Sequence, residues 1–183
     1  DPAWEYTPPA WPVNKRFRVE LSAADYAGNQ TPDGAFVREF IYDVNKPSTT
    51  IAYPSSAFQN AGQAAVFSGS AVDWVVNAST EAMSGLAPAG IEVQVADPAG
   101  NTFNGTGFAS GSFWRPALVT PSGEVTDAVL GVNITSAANW AYPSGADLWP
   151  PVLVQGSTYT VRVRSLDRSL NLESYQQRAF CYD

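Results

Sequence analysis

The chain has 183 residues, 45% hydrophobic and 15% charged, with 10 Lys and Arg against 17 Asp and Glu for a net charge of −7. This balance excludes a disordered tail and a coiled coil, and the acidity excludes a nucleic-acid partner, which requires basic patches to displace counterions. With no His and one Cys, a Ser-His-Asp triad, His-ligated zinc, a thiolate metal site and an intramolecular disulfide are excluded as well.

Fourteen Gly and fourteen Pro predict many turns and few long helices. In chain order, Phe17, Val19 and Leu21 alternate with Arg18 and Glu20, the period of a half-buried strand. Asp25-Tyr26-Ala27-Gly28-Asn29 reads as a turn, followed by a strand that ends at Tyr42-Asp43. Thr49–Tyr53 and Ala64–Val72 read as two more strands, and Asn77–Leu86 as a turn or two of helix with Asn77 as its N-cap. Ile91–Val95 alternates again and meets Asp97-Pro98-Ala99-Gly100, a type I turn signature. Gly123–Gly131 fits helix or strand, because Val125, Val129 and Leu130 suit either period. Strands are predicted within Val129–Thr135 and around Trp140–Tyr142. Tyr159, Val161 and Val163 then alternate with Thr160, Arg162 and Arg164, and Ser174–Tyr182 supplies the last strand. Some seven short strands separated by turns describe a β-sandwich. No stretch approaches the roughly 18–20 apolar residues of a membrane span.

The two ends of the chain resemble each other. Phe17, Val19, Asp25 and Asn29 recur at one constant spacing as Tyr159, Val161, Asp167 and Asn171. Phe40-Ile41-Tyr42-Asp43 returns as Phe180-Cys181-Tyr182-Asp183, and Trp4-Glu5-Tyr6 as Trp140-Ala141-Tyr142. Residues 1–45 are therefore expected to be the C-terminal part of one repeat, and 46–183 a complete one. Cys181 stands where the first copy has Ile41, so a buried, inert thiol is expected.

The turn at Asp25–Asn29, the aromatic-Asp ending at Tyr42-Asp43 and the following Pro47 resemble the bacterial Ig-like repeats of large surface and adhesin-type proteins. Gly69-Ser70-Ala71-Val72-Asp73 is similar to the second strand of that family, and Gly156-Ser157-Thr158-Tyr159 to its entry to the penultimate strand. Asn104-Gly105 and Trp114 resemble a Trp-rich hairpin of some members. The resemblance implies an all-β, Ig-like antiparallel sandwich with Greek-key connections, preceded by the closing strands of a neighbouring repeat. It implies a structural or spacer module of a repetitive extracellular, cell-surface protein or filament. Neighbouring repeats or copies of itself are the implied partners. The second copy departs from the pattern: Leu170 stands where the family has Gly, and a side chain there makes a left-handed conformation costly. That turn is expected to be built differently.

In such a topology the linker, the loop after the second strand and the loop after the sixth strand share one end of the sandwich. Asp43, Asn45, Asp73, Asp167 and Asn171 would then converge at an inter-repeat junction. Three carboxylates and two amides there suit calcium, a cation that takes six to eight oxygen ligands. The competing reading is that each Asp or Asn caps its own turn. No cofactor is required, and calcium is the one metal expected.

The alternative function is a carbohydrate-binding or adhesive module. Trp4, Trp11, Trp74, Trp114, Trp140 and Trp149 fall mostly near predicted loops, where exposed rings would stack on a glycan. An exposed, coplanar pair would favour this reading. No carboxylate pair sits in a recognisable glycosidase motif, so no enzyme is expected. Asn29, Asn77, Asn104 and Asn133 each begin an Asn-x-Ser/Thr triplet, a glycan acceptor only in a host with that machinery.

Overall fold

The computed structural model describes residues 5–75, 80–145 and 147–183. Its first strands are β1 (Lys15–Leu21), β2 (Phe36–Tyr42), β3 (Ser48–Tyr53), β4 (Phe58–Gln59), β5 (Phe67–Val72) and β6 (Leu86–Ala96). Three short strands follow, β7 (Thr102–Phe103), β8 (Phe108–Ala109) and β9 (Arg115–Pro116). The long strands β10 (Leu118–Asp127), β11 (Val132–Tyr142), β12 (Ser157–Asp167) and β13 (Gln176–Tyr182) complete the chain.

The described residues contain no helix. The cap proposed at Asn77 lies outside them, and the rest of that stretch runs as irregular chain into β6, which begins at Leu86. The ambiguous segment at Gly123 is strand as far as Asp127, and the two strands expected between Val129 and Tyr142 are one, β11. The strand expected from Ala64 begins only at Phe67, because the Ala64 N–H closes a turn onto Asn60.

Two sheets enclose one core. The first runs β10-β11-β5-β3, and the second runs β4-β13-β12-β6 with β7, β8 and β9 attached beyond. All pairings are antiparallel except β13 with β4. Ile51, Phe67, Ala71, Ala138, Trp140 and Tyr142 face inward from the first sheet. They meet Ile91, Val93, Val95, Tyr159, Val161, Val163 and Phe180 from the second. Strict alternation along β12 drives this arrangement, since every second side chain there is buried. Each apolar side chain buried in this way contributes about 1.5–3 kcal/mol, which makes the shared face the main source of stability. The fold is an all-β sandwich, as the residue pattern predicts.

The long connection before β12 is pinned from inside. Asp147 accepts hydrogen bonds from the Arg115 guanidinium and, at 2.7 Å, from the Tyr142 hydroxyl. Trp149 donates its indole N–H to the Ala64 carbonyl at 2.8 Å and packs on Phe67 and Phe103. At the open edge of the first sheet, β10 carries Pro121 and shifts register around Gly123, two features that blunt pairing with another strand.

The first two strands form a separate two-stranded sheet. Their register repeats that of β12 and β13: Phe17 pairs with Phe40 as Tyr159 pairs with Phe180, and Val19 with Arg38 as Val161 with Arg178. The turns match as well. Asp25 accepts from the N–H and side-chain amide of Asn29 at 2.9 and 2.7 Å, and Asp167 from those of Asn171 at 2.8 and 2.7 Å. A third instance joins β6 to β7, where Asp97 holds Asn101 at 2.8 and 3.0 Å.

The expectation for Leu170 is corrected here. Leu170 takes φ 68°, beside 85° at Gly28 and 84° at Gly100. The Asp and Asn side chains thus impose the turn even on a leucine, which is exposed and has no packing to offset the strain. Left-handed backbone costs a residue with a side chain about 1–2 kcal/mol, and glycine returns about half of that as lost entropy. Leu170→Gly is therefore expected to stabilise the chain by about 1 kcal/mol, read as a higher urea midpoint; an unchanged or lower midpoint would contradict the account.

Candidate metal centre

Asp43 leaves β2, Asp73 leaves β5 and Asp167 ends β12, so each carboxylate sits where a strand stops and its backbone needs a cap. All three are buried, at 4%, 3% and 0% exposure. One carboxylate oxygen from each lies within 4.8 Å of the other two. Sandwich topology brings the second and third together, and the hairpin contributes the first.

Backbone donors hold the cluster from several sides. Asp43 accepts from the N–H of Asn45 at 3.0 Å and of Ser84 at 2.7 Å. Asp73 accepts from Trp74 at 3.1 Å and Gly85 at 2.7 Å. Gly85 has φ 83°, and a Cβ there would meet Ile134 Cγ2 at 2.5 Å, so only glycine lets this amide reach Asp73. Asn171 donates its amide to Asp167 and also, at 3.0 Å, to the Asp43 carbonyl. The amide of Asn45 donates to the Trp74 carbonyl at 3.1 Å. In this arrangement the two asparagines tie hairpin to sandwich and orient the carboxylates.

Among the described residues, no Lys or Arg forms an ion pair with any of the three. Two carboxylates at this distance repel by about 3 kcal/mol at an effective dielectric of 20. Burial, with Asp43 and then Asp167 adding repulsion, pushes the Asp73 carboxyl up to about 7. Burial also raises Asp167, against the hydrogen bonds from Asn171. A proton or a cation at the cluster would relieve this repulsion. Oxygens bound to one calcium at 2.3–2.6 Å are at most about 5 Å apart, and the three carboxylate oxygens, within 4.8 Å of one another, span a comparable distance. The Ser84 hydroxyl oxygen, on the residue whose N–H holds Asp43, is buried and has no hydrogen-bond partner among the described residues.

Other contacts seat the hairpin beside this cluster. Asn14 accepts from Ala82 through its carbonyl at 2.8 Å and from Val44 through its side chain at 3.1 Å. Arg16 pairs with the buried Asp127, and Lys15 donates to the Thr80 carbonyl.

The tryptophans are dispersed. Trp4 lies outside the described residues, Trp140 is in the core, and Trp11 packs on Phe17 and Phe40. Trp114 sits under Arg164 with Tyr175 beside it. No two described tryptophan rings stack on each other.

Residue patterns alone gave no hint of Glu173. Its buried carboxylate accepts from the N–H and hydroxyl of Thr49, both at 2.9 Å, and from those of Ser165 at 3.2 and 3.0 Å. It thus bridges β3 of one sheet and β12 of the other. Compared with known proteins, the sequence matches no family model, and no curated protein or solved structure is detectably similar to it.

Proposed function

We propose that the chain is a structural spacer module of a repetitive extracellular surface protein or filament, with a joint that binds calcium. Residues 1–45 read as the closing part of one Ig-like repeat and 46–183 as the next. The observation that carries this reading is the joint itself, where one carboxylate from the hairpin and two from the sandwich share a buried site with no ion pair to a Lys or Arg among the described residues. Strand order supports it: β10-β11-β5-β3 against β13-β12-β6 is the order this reading expects. Asp43, Asp73 and Asp167 would hold the ion, with Asn45 and Asn171 orienting them. Calcium supplies neutralising charge and a rigid centre of coordination. Millimolar extracellular calcium suits the weak sites of such modules.

The test is a calorimetric calcium titration of the full chain. One ion per chain is expected, lost in Asp73→Ala and in Asp43→Ala. Absence of heat, together with a melting temperature indifferent to EDTA, would end the calcium reading. The second reading, a glycan-binding surface, draws on the partly exposed Trp114 and Tyr175 beside Arg162 and Arg164.

A further inference from the structure

Away from the core, the second sheet gathers arginines, amides and aromatic rings on its outer face. Along β12, Arg162 and Arg164 alternate with the buried Val161, Val163 and Ser165, so both point outward. Their register partners on β6 are Gln94 and Glu92, and Gln177 of β13 flanks Arg162 on the other side. Arg164 pairs with Glu92 at 2.7 Å and lies 4.0 Å from the centre of the Trp114 ring. Arg162 lies 5.2 Å from the centre of the Tyr175 ring, and the two rings are 6.2 Å apart. The Arg162 guanidinium donates to two neutral amides, Gln94 Oε1 at 2.9 Å and Gln177 Oε1 at 3.3 Å. Among the described residues, no carboxylate pairs with it. Gln94 is only 2% exposed and donates to the Ser112 hydroxyl at 3.0 Å, so a buried, anchored side chain fixes where that charge sits.

We propose that this face binds a sugar bearing a carboxylate, with Arg162 taking the acid group and Tyr175 and Trp114 packing on the sugar ring. The proposal rests on the second reading above, a glycan-binding surface, and names the class of sugar. Charge selects the acid. Glu92 already neutralises Arg164, which leaves Arg162 as the unmatched charge of the cluster. One guanidinium balances one carboxylate, and the glutamines use only part of its N–H donors. A nucleic acid or another polyanion asks for more positive charge than this face holds, on a chain of net charge −7. The rings select a sugar over an acidic peptide. Tyr175 is 49% exposed although Arg162 lies over its ring. A pyranose lays a flat C–H face on such a surface, whereas an Asp or Glu side chain has none. Gln177 and Ser112 stand alongside as neutral groups able to hydrogen-bond sugar hydroxyls.

NMR titration of the full chain tests this in EDTA, so that the aspartate cluster takes no part. The probes are oligogalacturonides and oligosaccharides ending in glucuronate or sialate, each beside its methyl ester, with a short polyglutamate peptide as comparison. At least one acid is expected to bind, and its methyl ester about 10-fold more weakly or worse. Arg162→Gln should remove that preference, and Tyr175→Ala should weaken acid and ester alike. Glu92→Gln leaves Arg164 without its carboxylate and should tighten the acid about threefold but not the ester. A merely structural role for these side chains would give no such gain. Acid and ester binding equally, or an Arg162→Gln variant that keeps the preference, overturns the acid assignment and leaves a glycan surface standing. If none of the sugars binds, both readings fall. A polyglutamate peptide that binds as tightly as the acids overturns the sugar.

Discussion

Raising the pH from about 4 to about 7 in EDTA is expected to lower the melting temperature by roughly 10 °C, with calcium abolishing most of that fall. The cause is Asp73, whose carboxyl moves from an ordinary 3.8 in the unfolded chain to about 7 in the buried cluster. Between those values the folded chain holds a proton that the unfolded chain has released. Its contribution is therefore complete below about pH 4 and is lost as pH rises through about 7. The full change corresponds to roughly 4 kcal/mol, and one kcal/mol moves the midpoint about 2–4 °C in a chain of this size.

Asp147 works in the opposite sense. Burial alone would raise it, but hydrogen bonds from Arg115 and then Tyr142 hold its carboxyl below the ordinary range. Its contribution is present above about pH 4 and fades below it. The melting temperature in EDTA should thus peak near pH 4–5. Calcium bound as proposed, at a hundredfold excess over its Kd, would add about 2.7 kcal/mol at neutral pH. Asp73→Asn should raise the midpoint in EDTA at neutral pH, because it removes repulsion while keeping an acceptor for Gly85, and should erase the calcium response. A profile flat between pH 4 and 7 in EDTA would show that the cluster stores no repulsion.

The second large effect is expected at Glu173. Glu173→Ala would leave the N–H groups of Thr49 and Ser165 buried without partners, along with both hydroxyls. Losing a buried carboxylate that satisfies four donors costs about 3–5 kcal/mol. Glu173→Gln should cost less, since one of its two positions still accepts. Urea unfolding gives both values, and a loss under about 1 kcal/mol for the alanine variant would mean that water replaces the carboxylate.

Much of the sandwich was legible because alternation reports burial directly, as along Ile91–Val95 and Tyr159–Val163. The matching pairings of β1 with β2 and of β12 with β13 were legible for the same reason, since paired residues keep their faces. Asp43, Asp73 and Asp167 could be placed together only through a supposed topology, as no local spacing links positions so far apart. Glu173 was invisible because its partners lie 124 and 8 residues away, and a lone Glu near a turn looks like any solvated charge. Leu170 misled because a propensity rule weighs one residue, whereas the Asp167–Asn171 hydrogen bonds fix five. Among the described residues the helix expected before β6 does not form, because Ser84 and Gly85 direct their N–H groups at the cluster and not along a helix.

The short path from Tyr42 to Ser48 gives the joint a mechanical character. Tension along the chain passes through the covalent backbone of those residues, and the contacts of Asp43 with Ser84 and Asn171 stand beside that path as lateral bracing. In an array of the kind proposed above, loosening them would leave the contour length untouched and change the resistance to bending. Ionic conditions at the joint would then set how far a string of such units reaches from its anchor, by altering its persistence and not its length.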